Sequence, residues 1–145
     1  MENPLSSERT PAAEAVRDLS PDVAVAVEAT TLIRGMQAAV GATAGAFPGL
    51  GPTTAGLSAM HAAHLAAVVD AVPDRVDTSA TGAPYVVPTT RAAALTSLLA
   101  AEKTHHAQLT GLAMRAESGR FAALLGQMSA SVSQHLAAQK NGTLR

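Results

Sequence analysis

His61 and His64 in "MHAAHL", and Glu102 and His105 in "AEKTHH", pair metal-binding side chains three residues apart. On a helix that spacing puts both members of a pair on one face. Imidazole with carboxylate is a donor set for zinc, copper and iron, and the same groups also hydrogen-bond to one another as a buried network. Which chemistry applies depends on where the faces point. In the third helical stretch Leu95 and Leu98 lead to Leu109 and Leu112, and the alternating three–four rhythm between them lands on Glu102 and His105. Leu57, Val68 and Val72 frame His61 and His64 in the second stretch. Val25, Leu32 and Met36 are joined by Glu28 in the first, and Phe121, Leu125, Met128 and Val132 lead to His135 in the last. An ionised carboxylate on an inward face needs a hydrogen-bonding partner or a cation. Glu28, His61, His64, Glu102, His105 and His135 are therefore expected either to form a buried polar network or, in the alternative, to be the ligand set for a divalent transition metal, Zn, Fe or Cu.

The neighbours of these residues read more plainly. His106 is expected at the surface, and Met36, Met60, Met114 and Met128 as core filling, with a Met60–His61 copper pair as a thinner alternative. Ser129, Ser131 and Ser133 stand near His135 but read as close-packing or surface positions rather than as a serine–histidine catalytic pair. No nucleophile elbow, phosphate loop or HExxH occurs, so the sequence argues against an enzyme.

The elements that must position the set are helices. The 145 residues suit one domain with a real core, alanine dominates, and aromatic residues make up only 2%. A sheet would want more β-branched and aromatic residues, so the fold class is all-α. Residues 1–20 read as a tail with a short helix from Pro11 to Leu19, and Ser20-Pro21-Asp22 starts the first long helix. "FPGLGP" ends it near Ala46 as an interhelical turn, and a second helix runs from about Thr53 to Val72. Residues 73–90 carry three prolines and no helical period. Further helices span about Thr90 to Glu117 and Arg120 to Gln139, separated at Ser118-Gly119, where a left-handed glycine is expected. Residues 141–145 should fray. The layout is two helical hairpins joined by a long connection across residues 21–140, a four-helix bundle with a crossover. A crossover that makes the second and third helices parallel also brings more of the polar set to one level than an up-down-up-down order does.

Charge narrows the partners. The net charge is −1 with no basic stripe and almost no stacking aromatics, so a nucleic-acid partner is not expected. No apolar run approaches the ~20 residues that a membrane span needs. Cysteine is absent, which removes disulfides and thiolate ligands. The polar stretch "ENPLSSERTPAAEA" is similar to the tether that follows the targeting segment of exported or lipid-anchored proteins, giving an extracytoplasmic expectation. Outer helix faces rich in Ala, Ser and Thr, with Gly35, Gly41 and Gly45 on the first helix, would admit a homodimer or an envelope protein partner.

Glu102-Lys103-Thr104-His105, His61-Ala62-Ala63-His64, Glu28 and His135 together resemble the ferritin-like superfamily, and the alanine-rich style resembles exported ferritin-like domain proteins of high-GC bacteria. Diiron members carry one Glu on each of two helices and E-x-x-H on each of the others. The resemblance implies that Glu28 and Glu102 match the glutamates and His64 and His135 the histidines. Two glutamates of the pattern are replaced by His61 and Val132, and His105 is additional, which speaks against ferroxidase chemistry. The functional expectation is a non-catalytic ferritin-like binding or scaffold module of the bacterial cell envelope, and the alternative is a metal-binding protein with a Glu/His core site for sequestration or redox.

Overall fold

The computed structural model describes residues 22–73 and 76–142; the expected N-terminal tail and its short helix lie outside them, as do residues 143–145. The described residues form four helices and no strand: α1 (Val23–Ala46), α2 (Gly51–Ala71), α3 (Arg91–Arg115) and α4 (Gly119–Gly142), with a 3-10 turn at Pro48–Leu50 between the first two. Phe47 leaves helical geometry at φ −133°, ψ 78°, Pro48 opens the 3-10 turn, and α2 begins directly at Gly51 with Pro52 in its first turn. Proline is tolerated there because the first turn has no acceptor for its missing N–H. Thr90 caps α3 by accepting the Ala93 N–H at 3.2 Å.

The second turn differs from expectation. Gly119 does not take a left-handed conformation, since no described residue has positive φ. Instead α3 stops at Arg115 with Ala116 extended, and the Ser118 hydroxyl accepts the Phe121 N–H at 3.4 Å, so that Gly119 is simply the first residue of α4. α4 also continues to Gly142, where fraying was expected from 141.

Three contacts set the topology. Arg91, at the start of α3, donates from Nη2 to the Gly49 carbonyl in the α1–α2 turn at 3.1 Å. Arg115, at the end of α3, donates to Glu28 near the start of α1 at 2.9 Å. The backbone N–H groups of Glu117 and Ser118 donate to the Asp22 carboxylate at 2.8 and 2.9 Å. Hence α3 runs antiparallel to α1 and parallel to α2, and residues 76–90 travel back along the bundle, about 30 Å for a helix of this size. Two bonds hold that connection to the helices: Arg34 Nε donates to the Thr78 carbonyl at 2.8 Å, and the Tyr85 and Ser97 hydroxyls pair at 2.8 Å.

The core holds Ile33 and Val40 from α1, Leu57 and Val68 from α2, Leu98, Leu109 and Leu112 from α3, and Leu125 and Val132 from α4. Small residues do as much as large ones on α1, where Ala26, Ala29 and Ala39 are buried and let neighbouring helices approach. Thr30 and Thr43 are also buried, and each returns its hydroxyl proton to a carbonyl of its own helix, at Val27 and Ala39. Helix α1 is long and apolar enough by composition to cross a membrane, although Glu28 and Arg34 interrupt its apolar run; 44% of that stretch is buried in the bundle as core. No other described helix reaches that length and apolarity.

Candidate metal centre

Because α2 and α3 are parallel, their two polar pairs meet at one level across the core. His61 stands ten residues into α2 and Glu102 eleven into α3, and the two are joined by a 2.6 Å bond between Nε2 and Oε1 with both side chains fully buried. One turn further along, His64 and His105 follow on the same faces, 8% and 1% exposed. The His61 ring centre is 5.2 Å from that of His105 and 6.1 Å from that of His64, each pair edge to face.

This cluster contains more polar atoms than bonds. His61 Nδ1, His64 Nδ1, Glu102 Oε2 and both ring nitrogens of His105 are buried without a hydrogen-bond partner. Burial and the neighbouring histidines depress two of the rings: His64 is lowered to about 4, by desolvation first and then by His61 and His135, and His105 to about 3, by desolvation and then by His61, His64 and His106. Both are neutral near pH 7 and carry a free lone pair, the state in which imidazole binds a metal. In a neutral His61, Nε2–H donates to Glu102 and leaves the lone pair on Nδ1. A carboxylate accepting from the far nitrogen is the usual support of a metal-bound histidine.

The ring separations are those of ordinary edge-to-face pairs and are also compatible with shared coordination. With metal–nitrogen bonds of about 2.1 Å and about 1.1 Å more to the ring centre, two imidazoles on one tetrahedral ion have centres about 5.3 Å apart, and about 6 Å if the angle opens to about 140°. The separations of 5.2 and 6.1 Å fall at these values. Among the described residues no group of three His, Asp or Glu side chains is arranged to hold a metal ion. His61 Nε2 is committed to Glu102 and the rings stand edge to face, so ion binding requires ring rotation within the cluster.

The expected ligands thus separate. His61, His64, Glu102 and His105 come together. His135 is half-buried on α4, close enough for its charge to act on His64, and its Nδ1–H donates to the Ser131 carbonyl at 3.1 Å, leaving Nε2 as acceptor in the neutral ring. Glu28 is not part of the set. It sits one residue, roughly 100°, round from buried Ala29, where it is exposed and pairs with exposed Arg115 at 2.9 Å. Counting Val25, Leu32 and Met36 as the α1 seam turned the inward face too far, because the alanines that occupy its centre carry no strong signal.

Two further arrangements had little sequence signal. Asp22, 2% exposed, reads as an ordinary helix start, yet its carboxylate joins the start of α1 to the α3–α4 turn. His106 is half-buried rather than exposed: its Nδ1–H donates to the Ser129 carbonyl at 2.9 Å, and the Ser129 hydroxyl lies 2.8 Å from the same nitrogen and 2.7 Å from Thr110 Oγ1. Ser129 therefore belongs to an α3–α4 packing contact and not with His135. Comparison with protein-family models, with curated proteins and with solved structures found no match in any of the three.

Proposed function

We propose that this chain is a ferritin-like helical bundle that binds one transition-metal ion in its core, with His61, His64 and His105 as ligands, His135 next to them, and Glu102 orienting His61. The observation that carries the reading is the set of five buried, unpartnered polar atoms on two facing helices. Each such atom costs about 1–3 kcal/mol when left unsatisfied, so these side chains do not close a network by themselves and need an ion or ordered water as partner. The parallel α2 and α3 and the connection along the bundle agree with a ferritin-like layout.

The donor set selects among metals. Imidazole-rich sites suit Zn, Cu or a single Fe, whereas a bridged diiron pair needs several carboxylates. Glu102 is the one acidic residue in the cluster, and Glu28 is outside it. Holding or transferring a single ion is accordingly favoured over ferroxidase chemistry. A scaffold role has less support, since the large exposed apolar residues Val69, Val86 and Met114 lie on α2, the connection and α3 rather than on one helix face.

The test is elemental mass spectrometry and Co²⁺ titration on protein purified without an affinity tag or chelator. Near-stoichiometric metal is expected, lost in the His64→Ala/His105→Ala double variant and retained in Glu28→Gln. Wild-type protein that binds neither Zn²⁺ nor Co²⁺ overturns the reading.

A further inference from the structure

Resting on the metal-binding reading, the next question is how an ion reaches ligands that are almost wholly buried. A cleft of about 260 Å³ opens between α1 and the crossover segment and extends to the His105 side chain. Its walls are Leu32, Gly35 and Met36 on one side and Ala83 and Tyr85 on the other, with Gln108 beside His105 on α3. The crossover is bound to the helices at Thr78 and at Tyr85, and Gly82, Ala83 and Pro84 between these points are exposed. Two further cavities, one at Asp22 and Phe121 and one between α3 and α4 beside His106, do not reach the four clustered residues.

From this geometry we infer that the cleft between α1 and residues 82–85 is the entrance to the metal centre, that His105 is the ligand at its inner end, and that the route favours soft or borderline ions over hard ones. None of the side chains lining the cleft is an Asp, Glu, Lys or Arg. A hydrated Mg²⁺ or Ca²⁺ is bound through carboxylate and carbonyl oxygens and would find no carboxylate along this path. A zinc, cobalt or copper ion meets the Met36 thioether and the His105 imidazole, donors that match its softness. His105 suits the inner end of the cleft because both of its ring nitrogens are unpartnered, whereas His61 Nε2 is held by Glu102.

Gly35 supplies the means of testing it. A Cβ built there meets nothing within 4 Å, so a larger side chain enters open space in the cleft wall, and Gly→Leu in a helix interior favours the fold. Gly111, on exposed α3 surface with the same open surroundings, is the control. Stopped-flow Co²⁺ binding should show association and dissociation both slowed by roughly an order of magnitude in Gly35→Leu, with stoichiometry and Kd unchanged, and wild-type rates in Gly111→Leu. Mg²⁺ in excess should not compete. Unchanged rates in Gly35→Leu, or equal slowing in both variants, overturn the entrance.

A second readout needs no metal. In metal-free protein, carbethoxylation by diethylpyrocarbonate, followed by peptide mass spectrometry, should modify His105 faster than His61, and Gly35→Leu should abolish the difference. If the wild type takes up no Co²⁺, the metal reading fails by itself, and this modification pattern still decides whether the cleft leads to His105.

Discussion

Replacing the buried His61–Glu102 pair by leucines, singly and together, tests whether the cluster exists for stability or in spite of it. The pair is joined at 2.6 Å with both side chains fully buried, while His61 Nδ1 and Glu102 Oε2 have no partner. Glu102→Leu strips His61 of its one bond, and His61→Leu leaves both carboxylate oxygens unpaired in the core. Breaking a buried pair from one side costs about 3–5 kcal/mol, whereas replacing both members by apolar groups is often neutral or stabilising. The expected result in chelated, metal-free protein is a loss of about 3 kcal/mol or more for each single variant and a double variant within about 1 kcal/mol of wild type or above it. Domains of this size hold about 5–15 kcal/mol in total, so the single variants should still fold.

The assay is equilibrium urea denaturation followed by circular dichroism, first with chelator and then with Zn²⁺. Ligand at about a hundred times its Kd adds about 2.7 kcal/mol to a binding-competent protein and nothing to one without a site. With zinc the wild type should therefore gain about 2.7 kcal/mol over the double variant, whichever of the two is the more stable without metal. Additive losses, with the double variant as weak as the sum of the singles, would refute the reasoning, because the pair would then be a net structural asset.

Three other outcomes follow from the same geometry. Metal-free protein should lose stability as pH falls below about 6.5, because the unfolded chain takes up protons there while folded His105 waits until about 3 and His64 until about 4; the limiting slope is about 1.4 kcal/mol per pH unit per histidine. His64, nearer the edge of the cluster, should contribute the smaller share, and urea titrations at pH 7.5, 6 and 5 that show flat or rising stability would contradict the depressed values. Asp22→Ala removes two charge-assisted bonds to backbone N–H groups and should cost about 3 kcal/mol, with Asp22→Asn intermediate, in the same urea assay. Tyr85→Phe should cost only about 1 kcal/mol overall yet raise amide hydrogen exchange selectively in residues 76–90, since the Ser97 bond ties the crossover to α3.

Much of the architecture was legible in the chain because it depends on local physics. Alanine-rich stretches favour helix through their own propensity, and Pro48 and Pro52 mark the end of one helix and the start of the next through their fixed φ and missing N–H. The inward direction of His61, His64, Glu102 and His105 followed from the leucines on either side of them, which mark the buried stripe strongly on α3. On α1 the stripe is built from Ala26, Ala29 and Thr30 as well as Ile33 and Met36, and periodicity counted on large residues rotated the helix enough to turn Glu28 inward when it is exposed.

Tertiary structure decided the rest, because those outcomes depend on which distant backbone or side chain arrives alongside. Asp22 could have capped its own helix, but the α3–α4 turn supplies two N–H groups that compete for the carboxylate. His106 could have faced water, but α4 brings Ser129 to its ring nitrogen. His61 and Glu102, 41 residues apart, meet only because the connection after α2 returns along the bundle and makes α2 and α3 parallel. Residue types and helical spacing determined which side chains share a face; the direction of the chain between the helices determined which faces meet.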